Sequence, residues 1–193
     1  MTLSYVRTSA ALVFSVLAAT SLWGADSFDY RVLATKKTST AEKEMNEAAA
    51  AGFEFNSVMG GDTAVGGSEV VVVMSKLTGA TKPKKYKLLA TSKTSTMQKE
   101  MQALGDEGFE FKGQTVFEST FGGREVAVIM ELDTSKPVQR IEYRLLATSK
   151  TSTMQKELQE AGAAGFGLTG LTVGKTALGG NEIVSVMRRI AAK

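Results

Sequence analysis

The stretch LATSKTSTMQKE occurs twice, at Leu89–Glu100 and Leu146–Glu157, and a looser copy, LATKKTSTAEKE, runs from Leu33 to Glu44. A chain that repeats itself at a fixed spacing folds as several copies of one unit, and this constrains the architecture more than any other feature. Placing Tyr30, Tyr86 and Tyr143 in register aligns the rest without a gap. Gly-Phe follows each tyrosine by 22 residues, at Gly52-Phe53, Gly108-Phe109 and Gly165-Phe166, and Gly-Gly follows by 36, at Gly66-Gly67, Gly122-Gly123 and Gly179-Gly180. Glu69, Glu125 and Glu182 come next, each opening an apolar run that ends in Met74, Met130 or Met187. The only two prolines, Pro83 and Pro137, fall between the copies, where a strand cannot continue.

Within a copy the hydrophobic period changes. YKLLA (Tyr86–Ala90) reads as a strand, and Met97, Met101 and Leu104 then lie at i, i+4 and i+7, one face of a helix. Gly52, Gly108 and Gly165 stand where a glycine ends a helix. FEF opens a second strand, and a glycine turn leads to a third, REVAVIMEL. The unit is βαββ, and the chain is α+β with repeats over 28–76, 84–132 and 141–190. Ser39, Ser95 and Ser152 each precede a Glu or Gln by three residues, which predicts a capping box at each helix start. The third strand is apolar at odd and even positions alike, so both its faces must be covered. A unit of this size struggles to fold alone. The expectation is one pseudo-threefold body, sheets inside and helices outside, with Phe53, Phe109 and Phe166 buried beneath their helices.

The layout resembles a family of small bacterial βαββ domains of unknown function, whose helix ends in a Gly-Trp-Glu-Leu step. Here the step reads GFEF at Gly52–Phe55 and Gly108–Phe111, and GFGL at Gly165–Leu168, with phenylalanine for tryptophan. The resemblance implies a βαββ fold for each copy and supplies no catalytic residue. A looser, topological likeness is to dodecin-like βαββ modules of exported proteins.

Arg7, the apolar run Ala10–Leu22 and the small residues up to Ala25 describe a signal peptide over residues 1–25, too short for a membrane span. The expected localisation is therefore periplasmic or secreted. Without that segment the formal charge falls from +3 to +2, since it removes Arg7 and no acid, and such a near-neutral chain is not expected to bind nucleic acid. The local basic stretch KPKKYK at Lys82–Lys87 reads as a solvated linker. The chain has no cysteine and no histidine, which removes thiol nucleophiles, thiolate and imidazole metal ligands and the commonest general base.

No catalytic residue, metal site or cofactor is predicted. Glu69, Glu125 and Glu182 read as turn-flanking charges, although three copies around a threefold axis would suit a hard cation. Tyr30, Tyr86 and Tyr143 are expected at the core edge with their hydroxyls in water. The remaining candidate is a weak anion site at each helix start, formed by Lys37 with Ser39, Lys93 with Ser95 and Lys150 with Ser152, beside the first-turn amides. These readings favour a non-enzymatic binding or structural protein of the cell envelope or extracellular space, with an unknown protein or polymer as partner. The alternatives are a carboxylate- and lysine-based enzyme such as a hydrolase, and a self-assembling oligomer or fibre subunit.

Overall fold

A computed structural model describes residues 27–64, 67–77, 83–119, 123–175 and 181–192. The segment expected to be a signal peptide lies outside the described residues, as does at least one glycine of each Gly-Gly turn. The fold is α+β, with one antiparallel three-stranded sheet and one helix per copy. The first module comprises β1 (Phe28–Thr35), α1 (Thr38–Ala50), β2 (Glu54–Thr63) and β3 (Gly67–Leu77). The second comprises β4 (Lys84–Thr91), α2 (Thr94–Asp106), β5 (Glu110–Ser119) and β6 (Gly123–Asp133), and the third β7 (Ile141–Thr148), α3 (Thr151–Ala163), β8 (Gly167–Lys175) and β9 (Asn181–Ile190). The last strand of each module is the central one, in the orders β1-β3-β2, β4-β6-β5 and β7-β9-β8. No helix among the described residues is long and apolar enough to cross a membrane.

Each helix ends as the glycine predicts. Gly52, Gly108 and Gly165 have φ of 89°, 90° and 84°, a region in which a side chain is strained. The Gly52 amide donates to Ala49 O at 2.9 Å and the Phe53 amide to Ala48 O at 3.0 Å, and the same pair of bonds closes the other two helices. This 6→1 and 5→2 pattern satisfies the last carbonyls and turns the following phenylalanine back toward the helix.

The helix starts differ from expectation. The residues at the cap are Lys37, Lys93 and Lys150, without a side-chain cap, and Ser39, Ser95 and Ser152 lie inside the first turn. No capping box forms. Instead the Thr35, Thr91 and Thr148 hydroxyls accept from the backbone amides of those lysines at 3.1, 3.1 and 3.2 Å. Of the residues read as the other half of the box, Glu42 and Gln98 are engaged elsewhere, as described below, and Gln155 is exposed.

Each sheet has a front face, on which its own helix packs, and a back face. Val70, Val72 and Met74 make the front of the first central strand and are buried with Met45 and Ala48 of α1. The same cluster takes in Tyr86, Leu88, Ala127 and Ile129, which line the back of the second sheet. The second cluster repeats this one step on, joining Met97, Met101 and Val128 of the second module to Tyr143 and Val186 of the third. The third cluster, around Met154, Ala161 and Met187, belongs to the third module alone. Packing therefore runs in series, first module to second and second to third, and α1 and α2 are wedged between successive sheets where helices on the outside were expected. These contacts do not confirm pseudo-threefold closure.

Phe53 and Phe109 are buried as predicted, whereas Phe166 is only half-buried, because among the described residues no sheet packs over the third module as the second and third sheets do over the first two. Phe109→Ala is expected to cost about 3–5 kcal/mol, as for other large buried aromatics. Phe166→Ala should cost clearly less, and equal losses in chemical denaturation would contradict this burial pattern.

Candidate functional site

The surfaces that distinguish this fold are the seams between modules and the module faces with no seam to join. In the first seam the side chain of Asn46 on α1 binds the outer edge of β4. Its amide nitrogen donates to Tyr86 O at 3.0 Å, and its oxygen accepts from Tyr86 N at 3.0 Å. One turn earlier, Glu42 Oε2 accepts from Leu88 N at 3.1 Å. The second seam repeats the arrangement on β7. Gln98 donates to Tyr143 O at 2.8 Å and accepts from Leu145 N at 2.7 Å, while Gln102 donates to Ile141 O at 3.2 Å and accepts from Tyr143 N at 2.9 Å. Two side chains one helical turn apart thus pair with an edge strand much as another strand would, satisfying groups that otherwise face water or a foreign strand.

The next position on the same helix face must be small. At Gly105 an added Cβ would stand 2.4 Å from Ile141 O and 2.8 Å from the Tyr143 ring. At the equivalent Gly162 on α3 nothing lies within 4 Å.

The tyrosines sit in the seams and not at a wet core edge. Tyr86 and Tyr143 are 1% and 4% exposed. Each hydroxyl reaches into the preceding module, accepting from Phe55 N at 2.8 Å or Phe111 N at 2.7 Å, where the second strand begins its bulge. Tyr143 Oη then donates to Phe109 O at 2.9 Å, and burial pushes its hydroxyl up to about 12. Tyr86 Oη donates to Glu131 Oε2 at 2.7 Å, and burial raises its pKa further still.

Glu131 anchors a buried polar group on the back of the second sheet. Its other oxygen meets Lys84 Nζ at 3.1 Å and Lys112 Nζ at 3.2 Å, and Lys84 also pairs with Asp133 at 3.1 Å. Lys84 belongs to β4 and is almost wholly buried, so the basic stretch read as a solvated linker includes a core ion pair. Burial alone would raise the Glu131 carboxyl, but the Tyr86 hydroxyl and the two lysines hold it below its ordinary 4.5.

The six residues predicted to bind anions, Lys37, Ser39, Lys93, Ser95, Lys150 and Ser152, are all exposed at three separate helix starts. Glu69, Glu125 and Glu182 lie in three different sheets, β3, β6 and β9, stacked in series and not gathered around an axis. Among the described residues no group of three or more acidic side chains could hold a metal ion. Two open grooves follow the first seam, one of 460 Å³ beside Asn46, Pro83 and Lys84 and one of 280 Å³ beside Asp62, Glu118 and Arg124.

Among the described residues nothing forms a seam on the back of the first sheet. Phe28, Tyr30 and Val32 of β1 are 54%, 59% and 67% exposed, and Met59 of β2 lies exposed on the same face. Their counterparts on β4 and β7, Lys84, Tyr86 and Leu88 and then Ile141, Tyr143 and Leu145, are buried or half-buried in the seams, and Met59 corresponds to the half-buried Thr115 and Thr172. Sequence reasoning missed this face because the three tyrosines are equivalent in the repeat. The usable signal was that three copies packed in series leave two end faces that none of the three covers. Comparison with protein-family models, with curated proteins and with solved structures finds no match.

Two outcomes test the seam chemistry. Gly105→Ala should destabilise the chain despite alanine's helix preference of about 1 kcal/mol, while Gly162→Ala, measured on dilute protein, should stabilise it by up to about that amount. Thermal melts giving both substitutions the same sign would contradict the seam. Because the folded Glu131 carboxyl is depressed, its stabilisation is complete above 4.5 and is lost as pH falls through the folded value. Glu131→Gln should cost about 3–5 kcal/mol at neutral pH, the range for breaking a buried pair. It should also flatten the acid limb of a stability–pH curve, and an unchanged limb would assign that limb to other carboxylates.

Proposed function

We propose that this is a non-enzymatic binding or structural protein of the periplasm or extracellular space, acting through the back face of its first sheet. One observation carries the reading. Phe28, Tyr30 and Val32 are exposed together on one strand, whereas at the equivalent positions Tyr86 and Leu88 are buried in the first seam and the Lys84 side chain is buried in an ion pair. Stacked repeats are ordinarily closed by terminal units with a polar outer face. An apolar end left open at this density is the mark of an interaction surface. The edge of β1 adds hydrogen-bonding groups of the kind that α1 and α2 satisfy on β4 and β7, so a partner gains directional bonds as well as apolar area.

Export is supported by Arg7 and the Ala10–Leu22 run, and the non-enzymatic character by a chain built without histidine or cysteine. A carboxylate- and lysine-based enzyme is the weaker reading, since the closest cluster of such groups, around Glu131, is already paired internally.

Immobilised protein and its Val32→Asp variant, challenged with the envelope fraction of the producing cell, test the proposal. The expected result is retention of a component by the wild type and at least tenfold less by the variant. Equal retention by both, with both folded by circular dichroism, would remove the face from the reading.

A further inference from the structure

The stack has a second open end, and the two ends match. The front of the third sheet is covered by α3 along β7 and β9, but Leu168, Leu171 and Val173 of β8 are 52%, 59% and 62% exposed. In the inner modules the corresponding front positions press on the next sheet. The Phe55 ring lies where a Cβ on Gly113 would stand, 3.0 Å from its Cζ, and the Phe111 ring lies likewise on Gly170 at 2.5 Å. Of the nine large hydrophobics exposed among the described residues, four lie on the back of the first sheet and three on the front of the third. Outside these two faces only Val138 and Ile190 remain.

The polar clamp is also present at the open end and unused. Gln155 and Gln159 on α3 occupy the positions of Gln98 and Gln102 on α2 and are exposed, and Gly162 occupies the position of the obligatorily small Gly105. Nothing in the third module's own core explains two amide side chains at that spacing followed by a glycine. Their partners exist at the other end, because β1 presents the backbone of Tyr30 and Val32 in the register that β7 presents to α2.

We infer that the occupant of the first sheet's back face is the third module of a second copy of this chain, docked head to tail. This rests on the reading of that face as the functional surface and names its partner. In the docked pair Gln155 and Gln159 bond the free edge of β1, Gly162 admits the Phe28 backbone, and Leu168 packs on Ser57. That last contact differs from the inner seams, where phenylalanine meets glycine. The smaller leucine faces the larger serine, so the two changes offset each other in volume. The ion pair between Arg188 and Glu110 at 3.2 Å in the second seam has no counterpart, since Ser75 and Gly167 stand there. The new seam is therefore weaker than the covalently tethered ones. A contact between two different faces leaves one of each free in every open assembly, so association continues into a filament unless it closes into a ring.

Sedimentation of the full chain and two blocked variants tests this. Val32→Asp blocks the head, and Gly162→Leu blocks the tail at a site with open space around it. Melting curves confirm that each is folded, and Tyr30→Lys with Gln159→Lys provide a second blocked pair. The wild type is expected to rise in mass through dimer to larger species between micromolar and hundreds of micromolar concentration. Each blocked variant alone should remain a monomer, and an equimolar mixture should form a one-to-one dimer and nothing larger, because one good head and one good tail survive. A wild type that stays monomeric, a mixture that stays monomeric, or a dimer that persists in either variant alone would overturn the proposal. A monomeric wild type that still retains an envelope component through Val32 would overturn only the identity of the partner, whereas loss of both behaviours would overturn the reading of the face as well.

Discussion

The pairing of helix side-chain amides with the edge of a following strand is the interaction on which the rest of the structure depends. Asn46 bonds both backbone groups of Tyr86, and Gln98 with Gln102 bond three residues of β7. A three-stranded sheet leaves two edges unpaired, and a unit of this size cannot bury enough apolar surface to stand alone. The clamp answers both needs. It satisfies the edge, and it brings the back of one sheet onto the helix and front face of the previous one.

Once that contact is made, the other features of the seams follow. The tyrosine on the clamped strand lies beneath the helix, and its hydroxyl extends to the bulge that opens the second strand of the neighbouring module. A glycine at 105 is needed because the strand backbone passes too close for a Cβ. The burial that results also explains why Lys84 and Glu131 must occur together. A lone charge removed from water at that depth would be far more costly than a hydrogen-bonded pair. The stack is directional, because the clamp always runs from the helix of one module to the first strand of the next. A directional series of three has one uncovered strand face and one uncovered helix face.

Most of the fold was legible in the sequence, while the surface that matters was not. The strand and helix assignments came from period changes and from the glycines at 52, 108 and 165, which are local signals with local causes. The errors share a different origin. Gln98 fits a capping box by spacing, yet it bonds β7, because a long amide side chain reaches a neighbouring module as easily as its own helix end. Lys84 reads as part of a basic linker because its partners, Glu131 and Asp133, are almost fifty residues further along. The Tyr86 and Tyr143 hydroxyls read as facing water from the core edge because nothing in a single repeat shows what lies across from it.

The sequence by itself determined that there are three copies of one βαββ unit, that the third strand of each needs cover on both faces, and that thiol and imidazole chemistry are absent. These conclusions depend on composition and on contacts within about twenty residues, where periodicity and turn chemistry act. Only the tertiary structure decided the order of stacking, the use of Glu42, Asn46, Gln98 and Gln102 as clamps, and the exposure of Phe28, Tyr30 and Val32. The physical reason is that near-identical repeats are almost degenerate in local energy, so which face of a copy is buried is set by what stands next to it. Tyr30 and Tyr86 begin the same kind of strand and differ in one respect: α1 packs on Tyr86, and among the described residues no helix packs on Tyr30.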